Sequence, residues 1–254
     1  MKELKVAIQA AKEAGNIINR YFDSNLKVEK KADNSPVTIA DKEAEKKIVS
    51  IIKKQFPDHN FLGEEFPYQQ TDSEYKWIID PIDGTKNFIR KVPFFATFIA
   101  LEKDGKIITG VVHLPKMNIL AYATKGKGCF INGKKARVSR ISKLEDAFFV
   151  YGDIDEYYSK NYDKELMKMV ATCARHRGFG QQWGCIFLAQ GSVDIDLNLK
   201  AKPWDIAAQK IIIEEAGGKL TDIEGKDTIY SGDYLATNKK LHEEVISIFR
   251  ERKS

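Results

Sequence analysis

The chain has 254 residues, which is enough for one large domain or two tightly packed ones. Hydrophobic residues make up 43% of it and charged residues 30%, the proportions of a globular protein rather than of a membrane-embedded or disordered one. The formal net charge is +5, and the lysines are spread along the chain instead of forming one tract. This pattern favours an ordinary solvated surface, with a basic rim that attracts an anionic substrate as the alternative.

The cysteines and the N-terminal residues indicate in which cellular compartment the protein is expected. Cys129, Cys173 and Cys185 are far apart and form no CxxC pair, which argues against a zinc site or a disulfide framework and fits a reducing environment. The first residues are charged and amphipathic rather than typical of a signal peptide, and no apolar run approaches the roughly 20 residues of a membrane span. We therefore expect a soluble, cytoplasmic protein.

Hydrophobic periodicity predicts two helices and two strands in the first third of the chain. Residues 2–22 have apolar side chains at helical spacing, and a second helix begins at Asp41 and ends before Pro57. Short strands are predicted at 61–62 and 77–79. The first strand is followed by Gly-Glu-Glu and the second by an aspartate, so both lead directly into acidic residues.

The middle of the chain has the pattern of an antiparallel sheet. Strands are predicted at 94–101, 107–113 and 119–123, with a hairpin turn over 103–106, and a further short strand precedes the turn at Asn132. Such a meander needs helices on one face, and the two N-terminal helices are available for this.

Beyond about residue 145 strands and helices alternate. The pattern predicts strands at 148–151, 193–197 and 219–222, and helices at 164–174, ending over 186–190, at 204–216 and at 239–252. We therefore expect an N-terminal α+β part over residues 1–143 and a C-terminal α/β part over 144–254, joined in one compact body.

The most informative segment is residues 77–86, in which an apolar run ends in Asp80-Pro-Ile-Asp83-Gly-Thr85. Two carboxylates with a backbone carbonyl between them make a compact all-oxygen site, which suits a hard divalent cation such as Mg²⁺. The backbone N–H groups of Gly84 and Thr85 would add a cradle for an anion beside it. A cation site next to a phosphate cradle indicates metal-dependent phosphate chemistry.

Three further residues are candidates for the same site. Glu64 follows a predicted strand and Asp205 lies in the first turn of a proline-started helix, so either could bind the metal, although a solvated loop and a helix cap are the simpler explanations. A hydroxyl paired with a carboxylate can orient and help deprotonate a water molecule, and Thr85 with Asp41 could form such a pair. For Asp41 a capping role is again the alternative.

Taken together, the segments 63–65, 80–88, 204–208 and 215–218 resemble the inositol monophosphatase family in order and spacing. The resemblance extends from about residue 5 to about residue 250. It implies a layered αβαβα sandwich of the inositol monophosphatase and fructose-1,6-bisphosphatase type. It also implies a homodimer and Mg²⁺-dependent hydrolysis of a small phosphate monoester by a metal-activated water, with no membrane or nucleic-acid partner.

The resemblance also assigns roles to individual residues. It implies two or three Mg²⁺ ions per site, as in two-metal phosphatases. The implied metal ligands are Glu64, Asp80, the carbonyl of Ile82, Asp83 and Asp205. The implied catalytic residues are Asp41, Thr85 and Glu64, and the implied substrate contacts are Gly84, Thr85, Gln181, Asn198 and Asp205.

The substrate is less well indicated. Residues 83–101 and 175–180, with Trp183, look more like the histidinol-phosphate phosphatase branch, but Gln181 and Asn198 stand where that branch usually has an aspartate and a glutamate. Both changes remove negative charge that would attract an ammonium group, while amides suit the hydroxyls of a polyol.

Histidinol phosphate and inositol 1-phosphate are thus the first candidates, and fructose 1,6-bisphosphate and a nucleotide 3′-phosphate are alternatives within the family. A regulator that keeps the fold but binds RNA or protein is the alternative from another class. A dinucleotide-binding enzyme is excluded because no GxGxxG follows a predicted strand.

Overall fold

The computed structural model describes residues 1–24, 27–31, 36–179 and 181–250, with the side chains of 181–183 outside the description. Its helices are α1 (Lys2–Phe22), α2 (Ile39–Gln55), α3 (Thr85–Ile89), α4 (Ile154–Ser159), α5 (Asp163–Thr172), α6 (Gln181–Ala189), α7 (Pro203–Glu215) and α8 (His242–Arg250). Its strands are β1 (Val28–Lys30), β2 (Pro36–Thr38), β3 (Asn60–Gly63), β4 (Tyr75–Asp83), β5 (Ala96–Lys103), β6 (Lys106–Leu114), β7 (Ile119–Thr124), β8 (Gly128–Ile131), β9 (Lys134–Ala136), β10 (Phe148–Tyr151), β11 (Arg175–Gly178), β12 (Ile195–Asn198), β13 (Lys219–Thr221) and β14 (Tyr234–Thr237). Among the described residues, no helix combines the length and apolarity that crossing a bilayer requires.

The first sheet has seven strands in the order β3-β4-β5-β6-β7-β8-β9. Only β3 and β4 are parallel, and the other neighbouring pairs are antiparallel. Both faces are covered, since in β4 the side chains of Trp77 and Ile79 pack toward α1 and α2 while Ile78 packs into the core on the opposite face. This alternation is the period of two that a strand imposes.

Helices α1 and α2 form the first layer, against one face of the seven-stranded sheet. The buried stripe of α1 is mostly alanine, which lets the helix lie close to the strands. Gly15 marks the closest approach, because a β-carbon at this position would be 2.5 Å from the ring of His113 on β6. The Nδ1 atom of His113 is in turn hydrogen-bonded to the carbonyl of Ala11 at 3.0 Å.

The second sheet has five strands in the order β11-β10-β12-β14-β13. Strands β11, β10 and β12 are parallel, and β14 and β13 are antiparallel to their neighbours. Helices α4, α5 and α8 contribute Tyr157, Met169 and Val245 to the core on its outer face.

Helices α6 and α7 lie between the two sheets. Helix α7 is buried on nearly all sides, including Ile206, Ile211 and Ile213, as expected for a central helix without a solvent face. It approaches β6 so closely that a β-carbon at Gly110 would be 2.4 Å from the Ile211 side chain. The order of layers is therefore helices, sheet, helices, sheet, helices, and the predicted αβαβα sandwich is confirmed.

Most predicted elements are present, with shifted ends. The helix over 2–22 matches α1, and the second helix begins at Ile39 rather than at Asp41 because Thr38 is its N-cap. The prediction missed α4 and the strands β1, β9, β11 and β14. All five are short, so they contain too few residues to show a clear periodicity. Strand β14 is also buried throughout and therefore lacks the alternation of a half-buried strand. The boundary near residue 143 and the homodimer stay predictions.

His242 is a fully buried histidine between β13 and β14. Thr221 donates its hydroxyl proton to the carbonyl of Asp222, so its oxygen accepts from Nε2 of His242 at 3.0 Å. Nδ1 then accepts from the hydroxyl of Thr237 at 3.0 Å. Burial, reinforced by the charge of Lys219, lowers the pKa of His242 to about 4, so the ring is neutral in the folded protein.

We expect this histidine to make the fold sensitive to acid. Its pKa is lower in the folded than in the unfolded chain, where it is about 6.5, so between these two values the unfolded state binds the extra proton. The free energy of unfolding should therefore fall as the pH drops from about 6.5 to about 4, by up to ~3 kcal/mol from this group. Urea unfolding at pH 7 and pH 4.5 should show a smaller loss for His242→Gln than for the unmodified protein. Equal losses in the two proteins would contradict this assignment.

Candidate functional site

Asp80 and Asp83 are brought together by an irregularity in β4. Asp80 pairs with Phe98 of β5 and Asp83 with Ala96, so two residues of β4 lie opposite the single residue Thr97. The extra residue shifts the alternation of side chains by one, and carboxylates three positions apart then point to the same side. The hydroxyl of Thr97 donates to the carbonyl of Pro81 at 2.8 Å and holds the bulge in place.

Asp205 joins them from the first turn of α7. Its Oδ2 atom accepts a hydrogen bond from the backbone N–H of Lys202 at 2.7 Å, so the capping role considered from the sequence is real. One carboxylate oxygen from each of Asp80, Asp83 and Asp205 nevertheless lies within 4.8 Å of the others, and all three residues are buried. The two roles are compatible because a carboxylate has two oxygens.

The charges of this acidic cluster, defined as Asp80, Asp83 and Asp205, destabilise one another. Burial raises the pKa of Asp80 well above its usual value, and the nearby carboxylates of Glu64, Asp83 and Asp205 raise it further. Burial likewise raises the pKa of Asp205 to about 6. Oδ1 of Asp80 is buried and accepts a hydrogen bond from no donor among the described residues. Crowded, buried carboxylate oxygens are the ligand set of a hard divalent cation, so the cluster could hold a metal ion.

Glu64 lies beside the acidic cluster because β3 and β4 are parallel. Their carboxyl ends meet at one edge of the sheet, with Gly63 opposite Ile79 and the N–H of Glu64 bonded to the Ile79 carbonyl at 3.2 Å. The Glu64 carboxyl group contacts that of Asp80, while its Oε1 atom is 2.7 Å from the ammonium of Lys31. Whether Glu64 binds an ion directly stays a prediction.

Lys31 was not identified from the sequence, and Glu65 was noted only as part of the segment 63–65. The ammonium of Lys31 also lies 2.7 Å from Oε1 of Glu65, so its single positive charge is shared by two carboxyl groups next to the acidic cluster. Burial opposes the charge on Lys31, yet the attraction of Glu64 and Glu65 outweighs this and raises its pKa. Burial raises the pKa of Glu65 to about 7.

Glu45 is a second residue that the sequence analysis missed. It is fully buried on α2, and its carboxylate accepts from the N–H groups of Glu65 and Phe66 at 2.9 and 3.1 Å and from the Tyr68 hydroxyl at 2.8 Å. It thereby fixes the segment that contains Glu64. The sequence could have identified it, because Glu45 follows Ala44 in the buried stripe of the helix. A charged residue in such a position needs hydrogen-bond partners.

Asp41 and Thr85 meet as predicted from the sequence. The Thr85 hydroxyl lies 3.2 Å from Oδ1 of Asp41 and 3.0 Å from the carbonyl of Ile82. Oδ2 of Asp41 accepts from the N–H and the hydroxyl of Thr38 at 2.8 and 2.6 Å, which completes the capping box of α2. Burial raises the pKa of Asp41 to about 6, against the effect of the Thr38 hydrogen bonds.

The remaining candidate residues are Gly84, Asn198 and Gln181. Gly84 precedes α3 with a φ of 89°, a left-handed conformation that glycine adopts without strain. Asn198, at the end of β12, is fully buried and donates to Asp196 and Tyr234 at 3.0 and 2.6 Å. The side chain of Gln181 lies outside the described part of the chain. The substrate contacts inferred for these residues stay predictions.

Comparison with known proteins places the chain in a family. The sequence pattern of the inositol monophosphatase family matches residues 2–254, and the chain belongs to this family. It is 35% identical over 254 residues to a fructose-1,6-bisphosphatase/inositol-1-monophosphatase of Thermotoga maritima, covering 99% of this chain and 97% of the relative. It is 34% identical over 236 residues to a histidinol-phosphatase of Chlorobaculum parvum, covering 92% and 91%. The crystal structure of the extragenic suppressor protein suhB of Bartonella henselae superimposes with a TM-score of 0.93 at 34% identity, covering 98% of this chain and 99% of that one.

We expect replacement of Glu45 to weaken metal binding without removing a candidate ligand. Glu45→Ala leaves two backbone N–H groups and one hydroxyl without their acceptor, so the segment around Glu64 should loosen. Calorimetric titration with Mg²⁺ should give a dissociation constant at least about 10-fold higher than that of the unmodified protein, for a loss of ~1.4 kcal/mol or more.

Glu43→Ala is the matched control for this change. Glu43 lies on the same helix, but its one ion pair is a 3.9 Å contact with the exposed Arg20. This variant should bind Mg²⁺ normally. Equal affinities of the Glu45→Ala and Glu43→Ala proteins would show that the buried carboxylate has no part in arranging the site.

Proposed function

We propose that this protein hydrolyses small phosphate monoesters and releases inorganic phosphate, with Mg²⁺ as the metal. The observation that supports this most directly is the convergence of Asp80, Asp83 and Asp205, buried and within 4.8 Å of one another. Among the described residues no hydrogen bond joins a serine or a cysteine to a histidine, and the three cysteines are buried. The cluster therefore accounts for catalysis without a covalent intermediate.

The ligand set suits Mg²⁺ by its chemistry. It consists of carboxylate oxygens, with the carbonyl of Ile82 close by, and it contains no thiolate or imidazole that would favour zinc or copper. Two or three ions are proposed, held by the acidic cluster with Glu64 and the Ile82 carbonyl. Bound Mg²⁺ lowers the pKa of a coordinated water molecule and offsets the negative charge of a phosphate ester.

Asp41 and Thr85 are the groups suited to moving a proton. The single proton of the Thr85 hydroxyl can go either to Asp41 or to the carbonyl of Ile82, which lie 3.2 and 3.0 Å away. When the hydroxyl donates to Asp41, Oγ1 of Thr85 can take a proton from an attacking water while its own proton passes to Oδ1 of Asp41, which ends as a carboxylic acid. Asp41 stays fixed during this exchange because its other oxygen is bound by Thr38.

The phosphate group would be held next to this pair. The backbone N–H groups of Gly84 and Thr85 follow directly after Asp83 and are proposed to hold the phosphate oxygens, as the family resemblance implies. Asp205 and Asn198, at the start of α7 and the end of β12, are proposed to face the organic part of the ester.

Histidinol phosphate and inositol 1-phosphate are the proposed substrates. The similarity to a histidinol-phosphatase and to a fructose-1,6-bisphosphatase/inositol-1-monophosphatase supports both, and it keeps fructose 1,6-bisphosphate as an alternative. The test is phosphate release from a panel of these three esters and a nucleotide 3′-phosphate, with Mg²⁺ and with EDTA. Release that needs Mg²⁺ is expected for at least one ester, and folded protein that releases phosphate from none would refute the proposal.

Asp80→Asn should abolish this activity and stabilise the metal-free fold. The amide cannot supply the anionic ligand, so phosphate release should fall by at least about 10³-fold, a magnitude seen when a charged catalytic group is lost. At the same time the variant removes the most crowded buried charge, so the melting temperature in EDTA should rise by a few degrees, as for ~1 kcal/mol.

Asp104→Asn controls for the change of charge alone. Asp104 lies in the exposed turn between β5 and β6 with a φ of 49°, which asparagine tolerates well. Its activity and its melting temperature in EDTA should match those of the unmodified protein. Retention of normal turnover by Asp80→Asn would exclude Asp80 from the metal site.

A regulatory binding role is the second candidate function. The relative from Bartonella henselae is named an extragenic suppressor protein rather than an enzyme, and this name supports a regulatory role as the second candidate. A protein that only binds RNA or another protein has no need of the acidic cluster with the Asp41–Thr85 pair. Salt-sensitive RNA binding that survives Asp80→Asn would support this role, because phosphate contacts depend on lysine and arginine rather than on the cluster.

A further inference from the structure

A second group of polar atoms lies at the carboxyl ends of the parallel strands β10 and β12. The chain leaves β10 at Gly152 and β12 at Asn198, and because neighbouring parallel strands end at the same edge, the two residues adjoin. This edge of a parallel sheet is where open α/β sheets bind ligands. Glu156, from the first turn of α4, faces the same place.

Two buried oxygens at this edge accept no hydrogen bond from any donor in the described part of the chain. They are Oδ1 of Asn198 and Oε2 of Glu156. Both lie next to Gly152, since a β-carbon there would be 2.3 Å from the Asn198 oxygen and 3.7 Å from the Glu156 oxygen. A side chain at position 152 would collide with the Asn198 oxygen, so glycine is what allows this oxygen to lie beside Glu156.

The direction of the Asn198 amide is fixed by its own partners. Its Nδ2 atom donates to Asp196 at 3.0 Å and to the Tyr234 hydroxyl at 2.6 Å. Both donor hydrogens are used, so Oδ1 must point the other way, toward Gly152. Asn198 is fully buried, and an acceptor in this position without a donor costs free energy unless a ligand supplies one.

Helix α4 is anchored so that Glu156 keeps its place. The hydroxyl of Tyr157 donates to the Leu197 carbonyl at 2.9 Å, and the ammonium of Lys160 is bonded to the carbonyl of Leu199. Both contacts tie the helix to the end of β12. The Glu156 carboxyl group is thus positioned against Asn198 by structure on either side of it.

The local charge favours a cation at Glu156. Burial raises the pKa of Glu156 to about 7, with Asp153 next in effect, and Lys200 partly offsets this. A buried carboxylate with a raised pKa is stabilised in its ionised form by a nearby positive charge. A protonated amine offers both the charge and the hydrogens that the two acceptor oxygens lack.

This pair is connected to the acidic cluster. From Asn198 the hydrogen bonds continue to Tyr234, whose hydroxyl is 3.5 Å from Oε1 of Gln209, and Nε2 of Gln209 donates to the backbone carbonyl of Asp205 at 2.6 Å. Asn198 is thus linked through Tyr234 and Gln209 to the first turn of α7, from which Asp205 joins the acidic cluster.

We propose that Glu156 and Asn198 form a specificity site for a protonated amine on the organic part of the substrate. The proposal rests on the phosphatase function above and deepens it, since it narrows the substrate to an amine-bearing phosphate ester. The sequence analysis took Asn198 as evidence for lost negative charge at this end of the site. In the folded chain Glu156 supplies a carboxylate from a different element.

The test compares two ligands that differ only in the amine. They are L-histidinol and its amine-free analogue 3-(imidazol-4-yl)propan-1-ol, titrated by NMR into the full-length protein with Mg²⁺ and inorganic phosphate present. The unmodified protein should bind histidinol about 10-fold or more tightly than the analogue, the scale of one charge-assisted hydrogen bond. Glu156→Gln should remove this preference and leave affinity for the analogue unchanged.

Asp155→Asn is the matched control, because Asp155 is an exposed carboxylate on the same helix and should leave the preference intact. Equal binding of the two ligands by the unmodified protein, binding of neither, or a preference that survives Glu156→Gln would overturn the proposal. Failure of the phosphatase function is a separate result, seen as the absence of phosphate release from every ester while histidinol binding is unaffected.

Discussion

The site depends on the crowding of like charges at one edge of the first sheet. Asp80, Asp83 and Asp205 are buried together, and burial combined with mutual repulsion makes it costly for all three to be ionised. Such a cluster requires either protons or a cation. A divalent metal ion satisfies the requirement at neutral pH, so the cluster is a candidate metal site before any relative is considered.

Three features of the layered fold bring the acidic residues together. The parallel pair β3 and β4 brings Glu64 beside Asp80, the bulge in β4 turns Asp83 to the same side, and the buried helix α7 begins at the point where Asp205 can complete the group. Asp41 and Asp205 each use one oxygen to cap a helix, which leaves the second oxygen in a fixed position for chemistry. A structural role and a proposed functional role therefore fall on the same carboxylates.

The two sheets contribute different parts of the proposed activity. The first sheet, with α7, forms the acidic cluster, whereas the ends of β10 and β12 in the second sheet form the proposed amine site. Hydrogen bonds through Tyr234 and Gln209 join the two. Selectivity could then change by replacing residues such as Glu156 while the metal ligands stay the same.

Much of this was accessible from the sequence, for identifiable reasons. The segment 80–85 and the helix start at 202–205 place acidic residues at element ends, and strong periodicity located α1, β5, β6 and α7 within a few residues. Residues whose function depends on tertiary contacts were missed. Glu45 and Lys31 matter because of what they touch, and Glu156 is one glutamate among many until β12 and α4 are packed together. The amide at 198 was singled out from the sequence, but its proximity to Glu156 depends on the packing of α4 against the end of β12.

The account is tested most directly by a crystal structure with Mn²⁺, which replaces Mg²⁺ at oxygen sites and is located by its anomalous scattering. It predicts at least one ion bonded to oxygens of Asp80, Asp83 and Asp205 at about 2.0–2.2 Å, the range for ions of this size. Ordered carboxylates with no anomalous peak between them, at saturating Mn²⁺ and neutral pH, would contradict it.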